Sequence, residues 1–146
     1  MEREELRKKI MRVIEDAKLA AVATIRNGKP WVRYMVIFPK QKDLSLLYAS
    51  TFVGSKKVED ITHNKYIHIT IGGYPNPTEW TKPYVNIQAT AEIGDEAETK
   101  KAYWHESFQQ VFSGPNDPKY AVLKIFPQTI TYRIPGGTQP EIYEIR

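Results

Sequence analysis

The 146-residue chain predicts a mainly β protein, a closed or nearly closed antiparallel barrel with flanking helices. Three observations carry that prediction. Short runs of alternating apolar residues recur along the chain, bounded by Gly, Pro and Asn. Asn27-Gly28 joins two such runs, and Asn-Gly is the strongest short hairpin signal because both central residues of a type I′ turn need positive φ. Regular βαβ alternation is missing, which argues against a parallel doubly wound sheet. One domain spanning 1–146 accounts for the length, and there is no internal repeat or low-complexity tract.

The elements follow in order. Leu6, Ile10, Val13, Ile14 and Ala17 recur at helical spacing among Glu, Arg and Lys, predicting an amphipathic helix over 2–17. Strands are expected over 19–25, 31–38 and 44–50, forming a three-stranded meander in which the second and third strands are neighbours. Ser55 is placed as the N-cap of a short helix with Val58 and Ile61 on its inner side. A strand over 66–71 ends at Gly72-Gly73. Pro75 and Pro77 make 74–82 an irregular loop. A long strand follows over 83–93. Trp104, Phe108, Val111 and Phe112 then share the face of a helix expected over 95–112, stopped by Gly114-Pro-Asn-Asp-Pro118. The chain closes with a strand over 120–134 bent at Pro127, and a short one over 141–145.

Composition narrows the chemistry. With no Cys, disulfides, thiolate-ligated zinc, iron–sulfur clusters and a Cys nucleophile are all excluded. The longest nearly continuous apolar run, Leu19 to Ile25, falls far short of the ~20 residues of a membrane helix, and no membrane association is expected. The first nine residues are densely charged with no apolar segment behind them, so a secretory signal is not expected and a cytoplasmic location is. Lys and Arg number 21 against 17 Asp and Glu, a surplus of four that suits an anionic ligand. The basic residues are scattered, so no nucleic-acid partner is expected.

Dinucleotide, P-loop and nucleophile-elbow motifs are absent. His63, His68 and His105 lack metal-ligand spacing, and no metal is expected. The acidic residues stand among Lys and Arg in the helices, the pattern of a solvated face.

One constellation stands out. Arg33 lies in the second expected strand. The third ends in Tyr48-Ala-Ser-Thr51 and runs through Gly54-Ser-Lys-Lys57 into a helix N-terminus. An anion there would meet free backbone N–H groups, the Ser55 hydroxyl and one or both of Lys56 and Lys57. Arg33, from a neighbouring strand, would reach the same anion. The alternative is a Ser-capped helix followed by two solvated lysines.

The runs Leu19–Arg26, Asn27-Gly-Lys-Pro30, Val32-Arg-Tyr-Met-Val36, Leu44–Thr51 and Gly54-Ser-Lys-Lys-Val58 resemble the FMN-binding split-barrel proteins related to pyridoxamine 5′-phosphate oxidase. The subgroup they are most similar to is the general stress protein 26-like one, which also shares Trp104–Phe112, the Gly-Pro-Asn-Asp-Pro loop and Tyr120–Tyr132. The resemblance implies a six-stranded antiparallel split β-barrel of Greek-key type, forming a homodimer with FMN in grooves between subunits. Arg33, Ser55, Lys56 and Lys57 match the phosphate-binding positions. Tyr34, Met35 and Val36 match the strand beside the isoalloxazine ring, and Ser50 and Thr51 the strand end that bonds ribityl or ring atoms. Deazaflavin F420 is the alternative cofactor.

The oxidase closes its last strand with an Arg-Leu-His-type substrate motif, whereas here residues 135–146 contain no histidine. The expected function is therefore a flavin-dependent oxidoreductase acting on an unidentified small substrate, distinct from the vitamin B6 oxidase. A non-catalytic flavin-binding or stress-related module is the alternative. Trp80 and Trp104 are the aromatics available to cover the ring, against core or interface packing as their commoner role.

Overall fold

A computed structural model describes residues 1–73, 76, 78, 81–136 and 139–146. Helix α1 (Arg3–Ala17) leads into the hairpin of β1 (Leu19–Arg26) and β2 (Lys29–Val36), then a two-residue strand β3 (Phe38–Pro39) and β4 (Leu47–Phe52). Helix α2 (Lys56–His63) precedes β5 (Tyr66–Gly72) and β6 (Tyr84–Gly94). Helix α3 (Ala97–Ala102), a 3-10 turn (Glu106–Gln110), β7 (Tyr120–Arg133) and β8 (Glu141–Glu144) complete the chain. All pairings are antiparallel in one curled sheet of order β2-β1-β5-β6-β7-β4-β3, with β8 added to β7. The fold is the expected split barrel, with two short strands beyond the expected six.

The hairpin forms as its residues dictate: Asn27 (φ 52°) and Gly28 (φ 75°) both take the left-handed region. The register puts Ala20, Val22 and Thr24 of β1 on the inner face, opposite Met35, Arg33 and Trp31 of β2. Val32, Tyr34 and Val36 point outward. Helix α1 plugs the barrel with Leu6, Ile10, Val13 and Ile14, packed on Ile69, Ile71 and Ile87. Removing each such side chain from water is worth about 1.5–3 kcal/mol. Gly72 sits where that plug meets the sheet. It has a φ of 96°, and a Cβ there would lie 2.5 Å from Val13 Cγ1 and 3.0 Å from the Pro83 carbonyl.

Three expectations change. Strand β4 does not pair with β2; it bonds β3 on one side and β7 on the other, so 19–50 is no three-stranded meander. Leu44, buried at φ 67°, sits in the turn before β4 instead of opening the strand. The helix expected over 95–112 breaks at Tyr103–His105 into α3 and the 3-10 turn. The apolar periodicity across that break is real, because Phe108 and Phe112 are both buried, but it serves a second cluster with Tyr48, Tyr120 and Val122. The strand bent at Pro127 is one continuous β7, with a register shift against β6 between Gln88 and Ala89.

Candidate functional site

Helix α2 crosses the end of the β1–β2 hairpin and presents Lys57 and, three residues on, Asp60 to the inner sheet face. Asp60 is buried, with 4% of its side chain exposed. It accepts hydrogen bonds from Thr24 Oγ1 (2.8 Å), from Arg26 Nε (3.0 Å) and Nη2 (3.1 Å), and from Arg33 Nη2 (3.3 Å). Arg33 Nη1 in turn donates to Thr24 Oγ1 (2.7 Å) and to the Trp31 carbonyl (3.0 Å). The Arg26 hydrogen bond, followed by that from Thr24, holds the Asp60 carboxyl below the ordinary carboxylate range. Arg26 is braced by the Trp31 ring, 4.5 Å below its guanidinium.

Beyond Arg33 lies a second cation. Lys57 Nζ donates to Thr51 Oγ1 at 2.6 Å and to Ser55 Oγ at 3.3 Å, and those two hydroxyls lie 3.3 Å apart. Burial, and then the nearby Arg33 charge, push the Lys57 ammonium down from its usual range. Arg33 is also pushed down, first by burial and then by Arg26, with Asp60 opposing. Asp60 offsets the charge of the arginines, whereas Lys57 faces two neutral hydroxyls. Lys57 is thus the cation of this cluster held by hydroxyls without a bonded carboxylate. Ser55 occupies the N-cap position of α2 but makes no side-chain cap bond; its hydroxyl faces Thr51 and Lys57 instead.

The hydroxyls and Lys57 open into an apolar groove with a cavity of about 470 Å³. Tyr34, Met35 and Val36 of β2 and Ser50 and Thr51 of β4 line it together. These strands meet although they are not sheet neighbours, because the curl of the barrel brings β2 back towards β4. The far wall is the segment from His105 to Phe112, with Phe38 of β3 beside it. The His105 ring stacks on Phe38 at 4.2 Å between centroids.

Of the nine residues expected from the sequence, Tyr34, Met35, Val36, Ser50, Thr51 and Lys57 line this groove. Ser55 is outside the lining but bonded to Lys57 and Thr51, and Arg33 is outside it too, engaged with Thr24, Asp60 and the Trp31 carbonyl. Lys56 does not converge: its side chain is 76% exposed and faces Glu59 at 3.7 Å. Trp104 packs edge-on against Phe108 and Tyr120 inside the aromatic cluster, away from the groove lining. Trp80 lies outside the described residues.

Sequence reasoning missed Thr24, Asp60, Phe38 and His105. Thr24 was readable as the polar member of the inward set Ala20, Val22, Thr24, and Asp60 by standing three residues after Lys57 on one helical face. His105 and Phe38 carried no local signal.

Comparison with known proteins places the fold. Residues 6–134 match the family model described as pyridoxamine 5′-phosphate oxidase. General stress protein 26 of Bacillus subtilis (strain 168) is 29% identical over 145 residues, covering 99% of this chain and all of the relative. The crystal structure of General Stress Protein 26 from Bacillus anthracis str. Sterne superposes with a TM-score of 0.77 at 29% identity, over 96% of this chain and 98% of that one. A related structure from Clostridium acetobutylicum, at 19% identity, reaches 0.80 over 97% and 96% of the two chains. With its barrel shared and residues 6–134 matched, the chain belongs to the pyridoxamine 5′-phosphate oxidase family.

Proposed function

We propose that this protein binds FMN and uses it as an oxidoreductase on a small substrate. The observation that carries the reading is Lys57, part-buried and held by the Thr51 and Ser55 hydroxyls beside an apolar groove, with the Arg33 charge close enough to act on it. A phosphomonoester requires that donor set, and a planar tricyclic ring fits an apolar slot of this size. The fold family supports the same ligand. When bound, the flavin supplies the electron and hydride chemistry. The chain's own contribution is to anchor, orient and shield. Arg33 and Lys57 neutralise the phosphoryl charge, Thr51 and Ser55 add hydroxyl donors, and the β2 and β4 backbones flank the ring.

The outer face of β2 supports a homodimer around this groove. Val32, Tyr34 and Val36 form an exposed apolar stripe, with Tyr34 at 76% exposure, and Ala21 and Ala23 lie beside them on β1. A continuous apolar strip on an edge strand is the surface a second copy would cover. Light scattering on a sizing column is expected to give twice the 16.9 kDa chain mass, and Tyr34→Lys to shift it towards one copy.

Titrating the protein into FMN tests the cofactor. The expected result is saturable quenching of flavin fluorescence at one FMN per chain. An unchanged emission across neutral pH contradicts the reading. Turnover is read separately: the holoprotein is expected to oxidise NAD(P)H faster than free FMN does, and an equal rate would reduce the protein to a flavin-holding module. Competition by F420 measures the preference between the two flavins.

A further inference from the structure

We propose that His105 is a ligand-contacting residue of the groove, donating a hydrogen bond from Nε2–H to a carbonyl or ring-nitrogen acceptor on the isoalloxazine ring. The proposal rests on the FMN reading above and adds a contact from the groove wall formed by the 3-10 turn and its flanking residues.

The tautomer follows from geometry. The backbone N–H of Ser107 donates to His105 Nδ1 at 3.1 Å, and the Ser107 hydroxyl lies 2.7 Å from the same nitrogen. A backbone N–H is always a donor, so Nδ1 must be an acceptor and the ring proton resides on Nε2. Nε2 has no protein hydrogen-bond partner among the described residues. The ring is also fixed in place. It stacks on Phe38 at 4.2 Å with 21° between planes, lies against Phe108 at 5.8 Å, and caps the 3-10 turn through Nδ1. A donor held by three contacts, unpartnered, on the wall of an apolar groove is preorganised for a polar atom that arrives with the ligand.

The groove otherwise offers little to the ring's polar edge. Lys57 and Thr51 bond each other, and Lys18 and Ser50 are the other polar residues of the strand side. On the wall that carries His105, Phe38, Phe108, Val111 and Phe112 give apolar contact, Ser107 is engaged with His105 Nδ1, and Gln110 is the other polar side chain. The flavin carbonyls and its N1 and N5 nitrogens are acceptors that lose water on entering such a slot, and each needs a replacement donor.

The test uses His105→Phe, which keeps a ring on Phe38 without the donor, and His105→Gln, whose amide reaches the Nε2 position. Dissociation constants are measured for FMN and for riboflavin, which lacks the phosphate, and thermal melts check folding. His105→Phe is expected to weaken both ligands about five- to tenfold, the loss of one hydrogen bond, and to shift the bound flavin absorption bands. His105→Gln is expected to recover most of the affinity and the band positions. Equal affinity and spectrum in His105→Phe and wild type overturn the proposal while leaving FMN binding intact. Equal weakening by Phe and Gln reduces His105 to packing and overturns it as well. Failure of the wild type to bind FMN removes the cofactor reading, and this one with it. Should His105→Phe unfold, ¹⁵N-histidine spectra of the wild-type chain decide. FMN is expected to slow exchange of the His105 Nε2 proton and shift its resonance, and an unmoved signal contradicts the contact.

Discussion

The two ends of the groove are held by different forces. On the polar side, Arg26, Arg33, Asp60 and Thr24 form a bonded network in which each charge has a named partner, and Lys57 stands beside it against hydroxyls alone. On the aromatic side, Phe108 and Phe112 line the groove and pack behind it with Tyr48 and Tyr120 in a cluster separate from the barrel core, with Phe38 and Trp104 against it. The first end is specific and sensitive to charge and pH. The second is non-directional and sensitive to volume. A ligand with a dianionic head and a planar apolar body matches both, which neither end would show by itself.

Variants can take the two ends apart. The largest expected effect is on the aromatic side. Phe108→Ala removes a buried ring and should cost about 3–5 kcal/mol of stability in a denaturant melt. Asp60→Ala should cost about 3 kcal/mol, because two arginines lose their buried counter-charge. Next come Arg33→Ala and Lys57→Ala, each expected to weaken FMN by about 10- to 100-fold, the worth of one charge-assisted bond, while leaving riboflavin affinity within about twofold. Equal loss for the two ligands would mean that these cations do not meet the phosphate.

The pH dependence sharpens the same contrast. Asp60 is held below its ordinary 3.8, so its share of stability is complete above that value and fades as pH falls through the lower folded value. The stability difference between wild type and Asp60→Asn should thus be constant near neutrality and shrink only below about pH 4. Lys57 runs the other way. Its folded-state value lies below 10.5, so the unfolded chain binds more protons in the window beneath 10.5. Wild type should gain stability relative to Lys57→Met as pH rises through that window, and saturating FMN should flatten the gain. The smallest effect belongs to Lys56→Ala. Its exposed pair with Glu59 is worth at most about 1 kcal/mol, and FMN affinity should stay within about twofold.

The contrast also explains what the sequence disclosed. The polar side was legible because its residues are local: Ser55 and Lys57 open a helix, and Arg33 sits on a strand whose alternation is plain. The barrel was legible for the same reason, through the Asn27-Gly28 turn and period-two runs. The pairing of β4 was not, since β7 lies seventy residues further along and only closure of the sheet brings them together. Asp60 was misjudged because a carboxylate among lysines looks solvated until the hairpin's Arg26 and Thr24 are placed over it. The aromatic wall was assigned to one long helix because apolar spacing survives the break at Tyr103–His105, where His105 turns its ring onto Phe38.

The most direct measurement of the central claim is the ratio of FMN to riboflavin affinity in the wild-type protein, taken at fixed ionic strength by fluorescence titration. If Arg33, Lys57, Thr51 and Ser55 hold the phosphoryl group, FMN should bind at least about 100-fold more tightly. Equal affinities would contradict the account, whatever the strength of either.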